Sequence, residues 1–253
     1  VDPLRDIEII NAELILADHA ALEKRKISRE KKARSGDKEA KKELALMEKL
    51  LPHLDNGKPA ITASINDDEQ EIMKEFFLLT SKRTIFACNV SEDELANALD
   101  NPDDHPMVSK VKSYAHETHG ADAIVISARI EEELIDLSNE EANEFLQDMG
   151  ITDSGVSTMI RSVYQLLGLS TYLTTGEKET RAWTIKSGAK APEAAGVIHT
   201  DFERGFIAAE VLHYDDYVEF QSKSAARDAG KLRIEGKEYL VNDGDVIEFR
   251  FNV

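Results

Sequence analysis

Arg83-Thr84-Ile85-Phe86-Ala87-Cys88-Asn89-Val90-Ser91-Glu92 is the stretch around which the chain is organised. Residues 84–88 are apolar or β-branched and too few for a helix, which predicts a short strand buried on both faces. The run stops at Asn89-Val90-Ser91-Glu92, a polar turn. A helical pattern follows over residues 106–119. A second apolar strand is predicted at 123–126, closing on Ser127-Ala128-Arg129. Together they spell a βαβ unit whose two strands end in small or amide-bearing residues. Open parallel sheets bind ligands at that carboxyl edge. Two loops set side by side there can clasp a planar nucleotide base.

The chain has 253 residues, 42% of them hydrophobic, enough for two modest cores. No apolar run approaches eighteen residues and no basic-then-apolar leader is seen, so neither a membrane span nor a signal peptide is expected. Cys88 is the single cysteine and lies inside the predicted strand; it reads as a small buried hydrophobe and fits a reducing compartment. A net charge of −18 argues against holding polyanions through bulk charge, so any nucleic-acid contact needs a local basic patch.

Upstream, Ile7, Ile10, Leu14, Ala17 and Ala21 recur at 3, 4, 3, 4, the seam of an amphipathic helix. Ser35-Gly36-Asp37 breaks it, with Asp37 placed to cap the next helix. Ala40, Leu44, Met47, Leu51 and Leu54 continue the pattern, predicting an antiparallel coiled-coil hairpin. Lys24, Arg25, Lys26, Arg29, Lys31, Lys32 and Arg34 flank the turn on one side, and Lys38, Lys41 and Lys42 on the other. Glu23, Glu30 and Glu39 interrupt them. Such a surface is either a solvated helix pair laced with ion pairs or a basic tip for RNA phosphates. No aromatic residue lies among these charges, so base stacking is not suggested.

Asp67 or Asp68 is expected to cap a helix carrying Ile72, Phe76 and Leu79. An acidic helical stretch covers 131–150, and an amphipathic helix 156–167 ends at Gly168. Beyond it short strands replace helices. Residues 171–173 and 181–185 predict a hairpin across Gly176. Pro192 opens a helix reaching about Ile198, and further strands are predicted at 206–213, 231–234, 238–241 and 246–251.

These motifs resemble a known family. P-loop GTPases end corresponding strands in Asn-Lys-x-Asp and Ser-Ala-Lys; here they read Asn89-Val90-Ser91-Glu92 and Ser127-Ala128-Arg129, the Asn-x-x-Glu form of the Obg-like ATPase (YchF) family. The C-terminal runs Arg181-Ala182-Trp183-Thr184-Ile185, Ala194-Ala195-Gly196 and Ile198-His199-Thr200-Asp201-Phe202-Glu203 resemble a TGS domain. The resemblance implies an α/β plus α+β architecture. Residues 4–60 would be a helical hairpin insertion, 61–150 the C-terminal part of a P-loop G domain with a parallel sheet, 151–168 a connecting helix and 169–253 a β-grasp TGS domain. It implies a cytoplasmic, monomeric, ribosome-associated protein that uses ATP or GTP with Mg²⁺ and has no membrane partner. The family's Walker A motif, Gly-x-x-x-x-Gly-Lys-Ser/Thr, does not occur here. The sequence is therefore read as lacking an N-terminal Walker A segment, with no catalytic residue of its own and turnover expected only in an intact parent. The rival reading is a non-catalytic module that grips ribosomal RNA or protein through the hairpin and TGS domain.

The base-contact set carried over is Asn89, Val90, Glu92, Ser127 and Ala128. In guanine-specific relatives an Asp accepts from N1 and N2 while the amide at the Ala128 position donates to O6. Adenine lacks the N2 amine and places a donor at N6, and Glu92 moves the carboxylate by one methylene. Polar mismatches of this kind cost up to about 10⁴-fold. Asn89 can still accept from N6 and donate to N7, the bidentate pattern amides use on adenine. The RNA-contact set is Lys24, Arg25, Arg29, Lys31, Lys32 and Arg34. His116 and His119 share a helical spacing compatible with a metal, but no further ligand completes a site, and none is expected. His199 is expected to cap backbone groups, and Trp183 to lie in a core.

Overall fold

The computed structural model describes residues 2–176 and 179–252. They form two compact units, Val1–Met159 and Ile160–Val253.

The first unit opens with two long helices, α1 (Pro3–Arg34) and α2 (Lys38–Asp55). The break between them falls at Ser35-Gly36-Asp37. Gly36 has φ +94°, and Asp37 accepts from the amides of Glu39 (2.9 Å) and Ala40 (3.1 Å). These two bonds, that to Ala40 foremost, hold its carboxyl below the usual range. The helices run antiparallel: Arg25 and Arg29 meet Glu43, and His19 meets Asp55. Their contact face differs from the expected seam. α1 buries Ile15, Asp18 and Leu22, while Ile10, Ala17 and Ala21 are exposed. The spacing is as expected but lies one residue further on, a rotation of about 100°. Asn11, Asp18, Arg25 and Arg29 continue the true stripe as polar residues, which is why an apolar pattern misplaces it. On α2 the buried face takes in Glu43, Leu46 and Leu50 beside Met47, Leu51 and Leu54.

Asn66, rather than Asp67 or Asp68, caps α3 (Asp67–Lys74), accepting from the Glu69 amide at 2.9 Å in a reciprocal capping box. The helix stops short of Leu79, because Phe77 adopts φ +53°. Next come β1 (Phe86–Asn89), α4 (Glu92–Asp100), α5 (Pro106–Tyr114) and β2 (Ala123–Ile126). Two helices thus stand where one was expected, and residues 115–119 form a π-type turn. β1 and β2 pair in parallel from Phe86↔Ala123 to Asn89↔Ile126. β1 alternates half-buried and exposed residues instead of being covered on both faces, since its sheet has two strands among the described residues. The acidic stretch forms two helices, α6 (Ala128–Leu134) and α7 (Asn139–Asp148), before α8 (Gly155–Leu167).

The second unit is a five-stranded mixed sheet. Its elements are β3 (Leu169–Thr175), β4 (Thr180–Lys186), α9 (Ala191–Ile198), α10 (Thr200–Arg204), β5 (Phe206–His213), α11 (Tyr214–Phe220), α12 (Lys223–Asp228), β6 (Arg233–Glu235) and β7 (Asp245–Phe251). The strand order is β4-β3-β7-β5-β6, with β3 and β7 parallel and the remaining pairs antiparallel. β3 and β4 form the expected hairpin; Glu177 and Lys178 lie outside the described residues. Residues 238–241 form no strand, only an isolated bridge between Lys190 and Leu240.

Ala191, Ala194 and Ala195 of α9 seat that helix on one sheet face with Tyr172, Val211 and Phe249, and the Tyr172 hydroxyl donates to the Ala194 carbonyl at 2.9 Å. Small residues let the helix approach closely. Instead of one main packed helix there are helices on both faces. Leu212 and Val246 face Ala226, Tyr217 and Phe220 from α11 and α12. Glu210 is buried on that second face, where Lys223, Arg227 and Arg250 neutralise it. Trp183 is half-buried, its indole N–H donating to Thr174 at 2.9 Å and Arg181 lying 4.2 Å from its ring centre.

A Cβ at Gly205 would stand 2.3 Å from the carbonyl oxygen of Asn252. Gly205→Ala should therefore displace the end of β7 and cost the second unit about 1–3 kcal/mol. Thermal melts that match wild type would show that the strand end yields freely.

Candidate nucleotide-base site

Both parallel strands finish beside one another, and each hands directly to a helix. The Val90 amide donates to the Ile126 carbonyl at 2.9 Å, extending the ladder past Asn89. Ser91 precedes α4, whose first residue is Glu92; Ser127 precedes α6, whose first residue is Ala128. Two helix N-termini are thus brought to one sheet edge, where they favour negative charge and acceptor groups.

The expected residues converge in part. Asn89 Oδ1 accepts the Ala128 backbone N–H at 2.9 Å, tying the two loops together. The Ala128 amide and Asn89 Oδ1 are thus engaged with each other, so neither the expected donation by Ala128 nor the expected acceptance by Asn89 stands free, and the Asn89 amide nitrogen is the polar group left over. Ser127 is 1% exposed, and its Oγ has no hydrogen-bond partner among the described residues. An orphaned hydroxyl in such a place costs about 1–3 kcal/mol unless something satisfies it. Asn89, Ser127 and Ala128 are thus adjacent, and Glu92 stands exposed on the first turn of α4, the helix that follows β1.

A cavity of about 430 Å³ opens beside β1, lined by Cys88, Asn89, Val90, Ser91, Glu94 and His105 among others. Sequence reasoning missed Glu94 and His105. Ser91 Oγ donates to Glu94 Oε2 at 2.7 Å, which, ahead of the nearby His105, holds the Glu94 carboxyl below its usual range. His105 caps α5 through Nδ1, which accepts from Val108 at 3.3 Å; this leaves Nε2 to carry the proton, 3.7 Å from Glu94. The available signal was Ser-x-x-Glu at the head of a helix. Burial pushes the Cys88 thiol up, with Lys112 opposing, consistent with an unreactive cysteine. Glu131 Oε1 accepts from the Gly155 amide at 2.6 Å and fixes the approach to α8.

The basic set divides in two. Arg25 and Arg29 donate through Nε to Glu43 Oε2 at 2.9 and 2.8 Å, and Arg25 also reaches the Glu75 carbonyl and lies over Phe76. These two hold the hairpin together. Lys24, Lys31, Lys32 and Arg34 are exposed, Arg34 with Glu30 3.9 Å away. Among the described residues no group of three or more His, Cys, Asp or Glu is placed to hold a metal, and the His119 side chain lies outside them. His199 caps α10, accepting from the Asp201 amide at 3.2 Å.

Parallel strands that deliver paired loops and helix N-termini to one edge are the arrangement of nucleotide-binding α/β folds. The chain is similar to the Schizosaccharomyces pombe YchF GTPase with a TM-score of 0.77 and 35% identity, over 99% of this chain and 66% of that one. It also shares a fold with a GTP binding protein from Pyrococcus horikoshii OT3, at 18% identity and a TM-score of 0.51. Residues 169–252 match the family YchF-GTPase_C, described as a protein of unknown function (DUF933). Over its whole length the chain is 48% identical to the ribosome-binding ATPase YchF of Bacillus subtilis and 47% identical to that of Haemophilus influenzae, spanning 68% of each. The chain belongs to the YchF family.

Proposed function

We propose that this chain carries the base-recognition edge and the ribosome-contacting surface of a cytoplasmic, ribosome-associated ATPase. The observation that carries the reading is the Asn89–Ala128 clasp beside the orphaned Ser127 hydroxyl. Asn89 presents its amide to N7 and the Val90 carbonyl accepts from N6, while the buried Ser127 stands behind the clasp. Glu92 on α4 disfavours guanine, so ATP is preferred to GTP. Mg²⁺ belongs with the phosphates, and no Gly-x-x-x-x-Gly-Lys-Ser/Thr motif is present in these 253 residues to cradle them. The second unit is read as a β-grasp TGS module with a further helical cover.

Base contacts alone do not hydrolyse an anhydride, because phosphoryl transfer rests on groups around the phosphates. The chain should release no phosphate from ATP above background with Mg²⁺ present; sustained turnover by clean protein would overturn this division of labour. Asn89→Ala should weaken ATP binding by about 1 kcal/mol, the scale of one hydrogen bond, since Asn89 Oδ1 is held by Ala128. Glu92→Asp should recover part of the affinity for GTP. Unchanged ATP binding by Asn89→Ala would remove the clasp from base recognition.

The absence of a phosphate-loop motif also favours a second reading, a binding module without catalysis. In that case the lysines at the hairpin turn contact ribosomal RNA while nucleotide binding is weak or lacking.

A further inference from the structure

The first unit contains a buried carboxylate on which, among the described residues, no cation sits. Asp18 is 2% exposed on the inner face of α1. Its Oδ1 accepts from the Leu79 amide at 2.7 Å, and its Oδ2 accepts from both the amide and the hydroxyl of Thr80, each at 2.7 Å. The Thr80 Oγ in turn accepts from the Ala60 amide at 2.9 Å. Burying an anion on neutral donors is an expensive way to pack a helix; an apolar pair of the same shape would serve packing alone. What the carboxylate adds is direction. Three bonds from one group fix both the height and the rotation of α1 against the turn at 79–81.

That turn leads straight into β1, whose last residue holds the Ala128 amide. α1 is one uninterrupted helix from Pro3 to Arg34, so about 24 Å of rigid rod separates Asp18 from the basic tip. Two more ties bind the rod to the same body: Asn11 donates to the Tyr114 hydroxyl at 2.9 Å, and Arg25 donates to the Glu75 carbonyl at 2.8 Å. Asp18 lies between them and is the one that grips the segment feeding the base loop.

We infer that Asp18 is a positioning residue that couples the hairpin to the base site: a partner seated on the tip alters the Asn89–Ala128 clasp through α1, Thr80 and β1. The inference rests on the reading of the tip as an RNA contact, and it does not require nucleotide to bind.

Amide hydrogen exchange with purified ribosomes as the probe tests it on the chain as it stands. In wild type, ribosomes should slow exchange at the tip and change exchange at Ala128 by about fivefold or more, the lower end for coupled sites. In Asp18→Asn the effect at the tip should persist while that at Ala128 disappears. Should that variant fail to fold, Thr80→Val, which removes the hydroxyl's bond to Asp18 together with its acceptance from Ala60 at nearly constant shape, should show the same loss. Thr80→Ser, which keeps the hydroxyl, should respond as wild type, a rescue that a purely structural role does not require. An unchanged Ala128 in wild type, or an equal response in Asp18→Asn, would overturn the inference. No protection of the tip would overturn it together with the tip reading, an outcome told apart by the tip amides themselves.

Discussion

Glu43→Ala should destabilise the first unit by about 3 kcal/mol or more, the scale for removing one partner from a largely buried ionic cluster. The Glu43 side chain is 8% exposed and takes two guanidinium groups on a single oxygen, from Arg25 and Arg29. Removing it leaves two cations about three-quarters buried, Arg25 over the Phe76 ring, with no other carboxylate as close to either. The substitution therefore does more than delete an attraction. It strands charge in a place that water reaches poorly. Pairing Glu43→Ala with Arg25→Met and Arg29→Leu should return most of the loss, since an apolar cluster of similar volume needs no neutralisation. Urea denaturation monitored by helical circular dichroism gives both numbers; a single-variant cost below about 1 kcal/mol would place the pair in the surface class.

Reversing Lys24, Lys31, Lys32 and Arg34 to Glu together should lower ribosome affinity by on the order of a hundredfold or more at low salt. Residues 24–42 carry ten lysine and arginine residues against Glu30, Asp37 and Glu39, a surplus of seven in a chain whose net charge is −18. The four chosen side chains are exposed, so helix stability should change by only tenths of a kcal/mol per site. Arg29 is left alone, because its reversal would set a second carboxylate against Glu43 and unfold the hairpin. The dependence of log affinity on log salt should flatten by about 0.7–0.9 per contact removed. Cosedimentation with ribosomes across a salt series measures both effects. Full binding by the quadruple variant at every salt concentration would move the contact to another surface.

These two outcomes depend on facts of unequal visibility in the sequence. The meeting of Asn89 with Ala128 was legible because each lies at the end of a short apolar run: a strand ending in Asn89 and another followed by Ser127-Ala128 need only pair in parallel to bring them together. The cap at Asp37 was legible too. The hairpin's contact face was not. Hydrophobic periodicity finds Ile7, Ile10, Leu14, Ala17 and Ala21, yet the helix packs through Ile15, Asp18 and Leu22 and continues in Arg25 and Arg29; the partners of Asp18, Arg25 and Arg29 lie 14 to 62 residues away. A polar residue reads as exposed until its partner is known. Arg25 and Arg29 looked like their basic neighbours, and only Glu43 on the facing helix distinguishes them from Lys31 and Lys32. The helices α11 and α12 escaped because they are short, are capped by His213 and Ser222, and bury little beyond Ala226. Glu94 and His105 escaped because the cavity joining them is formed by separate elements.

Base recognition at the Asn89–Ala128 clasp is tested most directly by comparing ATP with GTP. Millimolar ATP and GTP should be titrated separately into ¹⁵N-labelled protein, following the Asn89 side-chain amide and the Ala128 backbone amide. ATP should shift both signals in a saturable way, with an affinity weak enough to need about millimolar ligand, and GTP at the same concentrations should shift neither. Equal or stronger shifts with GTP, or no shift at these two groups with ATP, would contradict adenine recognition at the clasp.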